Sequence, residues 1–137
     1  MSRRDDIKSR IHHLEEKIAR YKGYIEELRE AHRLIMEKYE HLQKEAYEPA
    51  KAYDMTSSEK WLGDLLDTAR TLQEKIVCRT SEGQSETAEL LSDIERIIAR
   101  LEKLIEECED EIAELEAELE SLPDEDENGA GYEGRGQ

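Results

Sequence analysis

Apolar residues recur at alternating steps of three and four along two long stretches of the chain, and this heptad pattern is what most limits its fold. A period of 3.5 residues places one continuous apolar seam along each helix. The sequence therefore predicts two long helices of matched length. The seam residues are Ile7, Ile11, Leu14, Ile18, Tyr21, Ile25, Leu28, His32, Ile35, Tyr39 and Leu42 in the first arm, and Leu91, Ile94, Ile98, Leu101, Ile105, Cys108, Ile112, Leu115, Leu119 and Leu122 in the second.

A third apolar series with the same spacing predicts that the second arm begins well before Leu91. Thr56 and Glu59 form a T-x-x-E capping box at its expected start. Beyond the series the pattern continues only through a stutter over TSEGQSE, residues 80–86. This segment is either a kink within one long helix or a short break, and the spacing favours the kink. The series consists of Leu62, Leu65, Ala69, Leu72 and Ile76.

The charges beside the two seams differ in sign, which predicts that the arms pair with each other in antiparallel order. The flanking e and g heptad positions of the first arm are largely basic, and those of the second are largely acidic. Seam partners whose residue numbers sum to about 126 bring these charges together. The expected pairs are Lys22 with Glu102, Arg29 with Glu95, Arg10 with Glu118, and Lys17 with Glu111.

These patterns predict an all-α fold, a long antiparallel, coiled-coil-like helical hairpin that occupies residues 1–122. Its arms are expected at about 5–48 and 59–122, with the tip at about 49–58 and the fold-back near residue 63. The only tryptophan, Trp61, and Gly63 then lie at the tip. Residues 123–137 are acidic, rich in glycine and poor in apolar residues. We expect this tail to be disordered.

The acidity of the chain argues against two classes of partner. Its net charge is -16, and residues 85–137 carry 4 Lys or Arg against 19 Asp or Glu. Nucleic acid phosphates and anionic lipids repel such a surface. The sequence also lacks the run of about 20 apolar residues that spans a bilayer. We therefore expect a cytoplasmic protein with no nucleic acid partner and no membrane insertion.

No motif for catalysis, cofactor binding or metal binding is present. The sequence contains no glycine-rich phosphate loop, no H-E-x-x-H and no G-x-S-x-G. None of the four histidines follows a glutamate at the Glu-x-x-His spacing of di-metal bundles. Cys78 and Cys108 lack further ligands at metal-binding spacing. We expect no catalytic, cofactor or metal residues and a protein that is not an enzyme.

A helix, the W-x-G of Trp61 and Gly63 in the turn, and a second helix together resemble the small helical proteins exported by type VII (ESX-like) secretion systems. The long second arm is more similar to the α-helical accessory proteins associated with LXG toxins in Gram-positive bacteria. The resemblance implies a chaperone-like protein that binds the helical N-terminal domain of the toxin and helps to target it for export. It also implies that Trp61 contacts the partner in addition to packing at the tip.

The export signal of this superfamily, Tyr-x-x-x-Asp/Glu, is absent after all six tyrosines. Either a partner supplies the signal, or the protein is not exported, or the resemblance is architectural. The alternative function is a cytoplasmic coiled-coil scaffold or adaptor. We accordingly expect a cytoplasmic location, or secretion through a type VII system if the protein is exported.

The second arm carries more apolar residues than one helix contact requires. Leu90, Ile97 and Leu104 recur every seven residues, each directly before a seam residue. They either widen the seam of the hairpin or form a binding face for another helical hairpin. In the second case the partner is the toxin N-terminal domain, a second small helical protein or a second copy of the chain. The predicted partner-binding and export residues are thus Trp61, Gly63, Leu90, Ile97 and Leu104.

Overall fold

The described residues are almost entirely helical and contain no strand. The computed structural model describes residues 2–54 and 63–123. Helix α1 (Arg3–Leu42) continues through a π-helical turn (Gln43–Tyr47) into α2 (Glu48–Ala52), and α3 spans Asp64–Ser121. The prediction of an all-α chain with two long helices is confirmed. The expected capping box of Thr56 and Glu59 and the expected disordered tail lie outside the described residues, apart from Pro123.

Local chemistry accounts for the ends and the irregular turn of the first helical run. Ser2 Oγ accepts a hydrogen bond from the Asp5 backbone N–H at 3.1 Å, and acidic residues occupy the first turn of α1. Both features favour a helix start at this point. The π-helical turn directly precedes Pro49, whose ring would clash with the carbonyl of Glu45 in a regular α-helix. The wider turn relieves that clash, and the helix continues to Ala52.

Helix α3 is unbroken through residues 80–86, so the short break considered for this segment does not occur. None of the described helices is both long enough and apolar enough to cross a membrane. The chain divides into two compact units, and α1 and α3 contribute to both. The first unit comprises Met1–Glu27 and Ile98–Gln137, and the second comprises Leu28–Ile97.

The first unit pairs the start of α1 with the end of α3 in antiparallel order. Its buried residues come from the two predicted seams, and Ile7 and Leu14 are each only 1% exposed. Arg3 lies 2.8 Å from Glu118, and Arg10 lies 2.7 Å from Glu111. The partner of Arg3 is Glu118 and the partner of Arg10 is Glu111, so the two helices run in opposite directions. The other buried members are Ile25, Ile105 and Cys108.

The expected pair of Arg10 with Glu118 is wrong. The observed arginine partner of each of these g-position glutamates lies one heptad nearer the N-terminus than the predicted partner. Glu118 binds Arg3, and Glu111 binds Arg10. A g-position side chain lies between two g positions of an antiparallel helix and can reach either. Arg3 occupies Glu118, which leaves Glu111 for Arg10. Lys17 also lies close enough to Glu111 to act on its pKa, in agreement with that expected pair.

The hydrogen bond from Arg10 holds the pKa of the Glu111 carboxyl below its ordinary value. A lowered pKa in the folded state means that this pair stabilises the fold above the unfolded pKa, and that the contribution is lost as the pH falls through the folded pKa. We expect Arg10→Gln to raise the pKa of Glu111 in an NMR titration of the side-chain carboxyls.

Glu30 provides the matched control, because Arg33 lowers its pKa in the same way. Arg10→Gln should leave the pKa of Glu30 unchanged, whereas Arg33→Gln should raise the pKa of Glu30 and leave that of Glu111 unchanged. An ordinary pKa for Glu111 in the unaltered chain would show that the ion pair does not persist in solution.

The second unit pairs the remainder of the first helical run with the start of α3, also in antiparallel order. Leu91 and Ile94 are buried, as their seam predicts, and so is Ala69. His32 is partly buried in the seam, where its Nε2 lies 3.4 Å from Glu95. This contact is an ion pair only when the imidazole is protonated. His32 Nε2 is otherwise a buried atom without a hydrogen bond.

Candidate interaction surface

The residues expected to bind a partner at the tip can be described only in part. Trp61 lies outside the described residues. Gly63 has a φ of 54°, in the left-handed region, and a Cβ at this position would meet no atom within 4 Å. The backbone conformation, and not a close approach, therefore accounts for glycine here. The Gly63 carbonyl accepts the Asp67 backbone N–H at 3.2 Å, which begins the bonding of α3.

The three residues expected to form a binding face on the second arm do not share one environment. Leu90 and Ile97 belong to the second unit, where they are 48% and 49% exposed. Leu104 belongs to the first unit and is partly buried. The structure thus leaves Leu90 and Ile97 open to a partner and gives Leu104 a larger share in the packing of its own unit.

The exposed apolar surface of the second unit extends further toward the start of α3. The third apolar series predicts helix, and its described residues belong to α3. Leu65, Leu72 and Ile76 are 55%, 54% and 55% exposed, whereas Ala69 is buried. The outer stripe is defined here as Leu65, Leu72, Ile76, Leu90 and Ile97, which follow one side of α3 at helical spacing.

The inward face of the same helix segment is more polar than the outer stripe. Gln84 is only 6% exposed and is the buried polar residue of the described core. Its Nε2 donates to the Tyr39 carbonyl at 2.9 Å and to Gln43 Oε1 at 3.1 Å. The inward positions, at steps of three and four, are Leu66, Ala69, Gln73, Val77, Thr80, Gln84, Thr87 and Leu91.

Gln73, which precedes Gln84 on α3, makes a similar contact with the first helical run. Its Nε2 donates to the carbonyls of Ala50 and Tyr53, at 2.7 and 2.9 Å. The Ala50 carbonyl belongs to the last turn of α2, where carbonyls lack helical partners. Gln73 therefore caps the end of α2. Together, Gln73 and Gln84 fix the inward face of α3 by hydrogen bonds that leucine or isoleucine could not make.

The π-helical turn changes which residue of the first run meets this polar face. A π-turn holds an additional residue and shifts the phase of the following seam. Leu42, predicted in the seam, is 47% exposed, and Gln43 is partly buried instead. The seam then continues at Tyr47 and Ala50. Gln43 thereby reaches Gln84, and its Oε1 accepts a hydrogen bond from Gln84 Nε2.

The second unit therefore directs polar residues inward and apolar residues outward along this part of α3. Full burial of a leucine or isoleucine side chain contributes roughly 1.5–3 kcal/mol, so covering the exposed half of each outer-stripe residue contributes about 1 kcal/mol. A soluble protein rarely leaves a regular apolar stripe without a partner. The arrangement is suited to binding another helix.

Sequence reasoning used the most apolar series only to predict helix, and it therefore missed the outer stripe. The stutter at residues 80–86 was the available signal, since the apolar series reaches Leu90 only through Gly83. The inward series also has a repeated step of four, at Ala69, Gln73 and Val77, but it contains no glycine. The glycine, and not apolar content, distinguishes the two faces here.

The described residues contain no group of three or more histidine, cysteine, aspartate or glutamate side chains that could hold a metal ion. Cys78 is exposed, and its thiol lies 3.5 Å from Glu82. Cys108 is buried in the first unit.

A family model described as YwqH-like matches residues 2–124, most of the chain. YwqH-like proteins are related to LXG-associated helical proteins. No curated protein and no solved structure is similar enough to the chain to count as a match.

Proposed function

The chain belongs to the YwqH-like family, and on that premise we propose that it is a non-enzymatic interaction protein that accompanies an LXG toxin of a type VII secretion system. It binds the helical N-terminal domain of the toxin, keeps that domain soluble and helps to target it for export. The relation of the family to LXG-associated helical proteins supports this class of partner.

The outer stripe is the observation that carries the proposal. Two helices that were sufficient by themselves would direct leucine and isoleucine inward and glutamine and threonine outward. Here Gln84 is buried while Leu72 and Ile76 are more than half exposed. The sequence thus reserves its most apolar helix face for another molecule. A helical hairpin of the toxin would pack along that face as a third and fourth helix.

Leu90 and Ile97 are the proposed centre of this contact, and Leu104 lies at its edge. Trp61 and Gly63 are proposed as a second contact, because a single large aromatic beside a chain reversal is the kind of residue on which interfaces depend. Since the chain has no Tyr-x-x-x-Asp/Glu sequence, the toxin or another bound protein supplies the export signal.

The proposal is tested by producing the full chain together with the tagged N-terminal domain of an LXG toxin from the same organism. We expect the two proteins to purify as a complex of fixed stoichiometry in light-scattering chromatography. The toxic C-terminal domain, produced in the same way, is the control and should bind nothing. Trp61→Ala should weaken the complex without changing the helical content of the chain.

A folded chain that fails to bind the N-terminal domain would refute the toxin assignment. The cytoplasmic scaffold would then be the better description, and it predicts extended assemblies of the chain with cytoplasmic proteins.

A further inference from the structure

The outer stripe has a symmetry that the binding of a toxin domain does not require. Gly83 lies two residues beyond its midpoint, and Ile76 and Leu90 stand seven residues before and after this glycine. Gly83 is exposed, and a Cβ added there would meet no atom within 4 Å. The packing of the second unit therefore does not require a glycine at this position. A second helix that crosses α3 at this point would, because glycine permits the closest approach of two backbones.

We propose that, in the absence of its partner protein, the outer stripe is covered by the same stripe of a second copy of the chain, in antiparallel order, with the two-fold axis close to Gly83. This arrangement places Leu90 of one copy between Leu72 and Ile76 of the other. Ile97 then lies one heptad further from the two-fold axis and packs against the start of the stripe on the other copy. Every apolar residue of the stripe gains an apolar neighbour.

The charges beside the stripe support a second copy as the occupant. Lys75 and Arg79 flank its first half, and Glu86 and Glu89 flank its second half; all four are exposed. The four residues lie on the same flank of the stripe, and an antiparallel copy places the basic pair of each molecule opposite the acidic pair of the other. The two-fold axis makes this complementarity occur twice.

The first helical run offers a matching contact at the same level. The hydrogen bonds of Gln84 to Tyr39 and Gln43 place Gly83 beside this part of the run. Leu42, 47% exposed, lies here in an open depression of about 480 Å³. Lys38, on one side of Leu42, would meet Glu45 of the second copy.

The contact is also long enough to hold a dimer. The stripe extends from Leu65 to Ile97, which at a rise of 1.5 Å per residue is roughly 50 Å of helix. Two helical pairs of that length bury an area typical of stable dimers. A toxin domain that binds the stripe would displace the second copy. The dimer therefore covers the apolar face until the toxin domain binds.

The test is sedimentation equilibrium of the full chain at micromolar concentrations, with no partner present. We expect a mass of twice 16.0 kDa. Two charge variants locate the axis: Lys75→Glu with Arg79→Glu, and Glu86→Lys with Glu89→Lys. Each variant alone should dimerise at least roughly tenfold more weakly, because like charges then face each other at every contact. An equimolar mixture of the two should dimerise as well as the unaltered chain.

Gly83→Glu and Gly23→Glu form a matched pair of further variants. Both glycines are exposed within helices, and neither has an atom within 4 Å of its Cβ position. Either substitution should raise the helical content, since glutamate favours helix more than glycine does. Only Gly83→Glu should weaken the dimer, by roughly a hundredfold, because it places two carboxylates at the axis.

A monomeric chain, a larger oligomer, or a dimer that neither charge variant weakens would overturn the inference. So would weakened variants that fail to rescue each other in the mixture. These outcomes are independent of the proposed function, because the toxin is absent. A monomer that binds the toxin domain would refute the dimer alone, and a dimer that ignores the toxin would refute the proposed function alone.

Discussion

Leu90→Glu combined with Ile97→Glu should abolish binding of the toxin N-terminal domain while leaving the chain folded. Both side chains are about half exposed, so a carboxylate at either position can remain in water in the free protein. In the complex the two carboxylates would be buried against an apolar helix face without partners. We expect a loss of affinity of roughly a hundredfold or more in isothermal titration calorimetry.

The control for this variant is Ser85→Glu with Ser92→Glu. These residues have the same seven-residue separation and are exposed on α3 away from the outer stripe. The control adds the same charge to the same helix and should bind the toxin domain normally. Circular dichroism should show equal helical content in both variants. A Leu90 and Ile97 variant that unfolds would show instead that these residues belong to the packing of the chain itself.

Leu14→Ala should destabilise the fold by about 3 kcal/mol and lower the melting temperature by roughly 10 °C. Leu14 is 1% exposed between the two helices of the first unit, where no polar contact compensates for the lost side-chain atoms. The cavity adds to the lost transfer free energy, because helices held by a continuous seam cannot fully collapse around it. Chemical denaturation gives the free energy of unfolding directly.

Leu72→Ala makes the same chemical change at a residue that is 54% exposed. At concentrations too low for association, its cost should stay below about 1 kcal/mol. A comparable loss in both variants would mean that the start of α3 buries Leu72 in solution, with the inward and outward faces exchanged.

The sequence was sufficient to predict the long paired segments, since a 3.5-residue period leaves a helical chain few other ways to bury its apolar residues. Ile7, Leu14 and Ile25 are buried as that period requires. The sequence was insufficient where two series of residues on α3 could each form the buried face. Between residues 65 and 87 the more apolar series lies outside, because Gln73 and Gln84 make hydrogen bonds with the first helical run. Such bonds exist only in the folded pair of helices.

The candidate site likewise has residues whose placement the sequence could predict and residues whose placement it could not. The positions of Leu90 and Ile97 beside the seam were visible in their seven-residue spacing, and both are exposed. Leu104 has the same spacing but is partly buried. The exchange of Leu42 for Gln43 in the seam could not be read from composition, because it depends on a turn that changes the helical phase.

That turn also sets the length that the first helical run requires. A π-helical turn holds one residue more than the α-helical turn that it replaces. Gln43–Tyr47 has this form, and Gln84 opposite it supplies the polar partner that the shifted phase demands. A chain with one residue fewer in this segment would keep the α-helical phase and would place Leu42, not Gln43, opposite Gln84. Deletion of one residue from the turn would therefore leave Gln84 facing an apolar side chain.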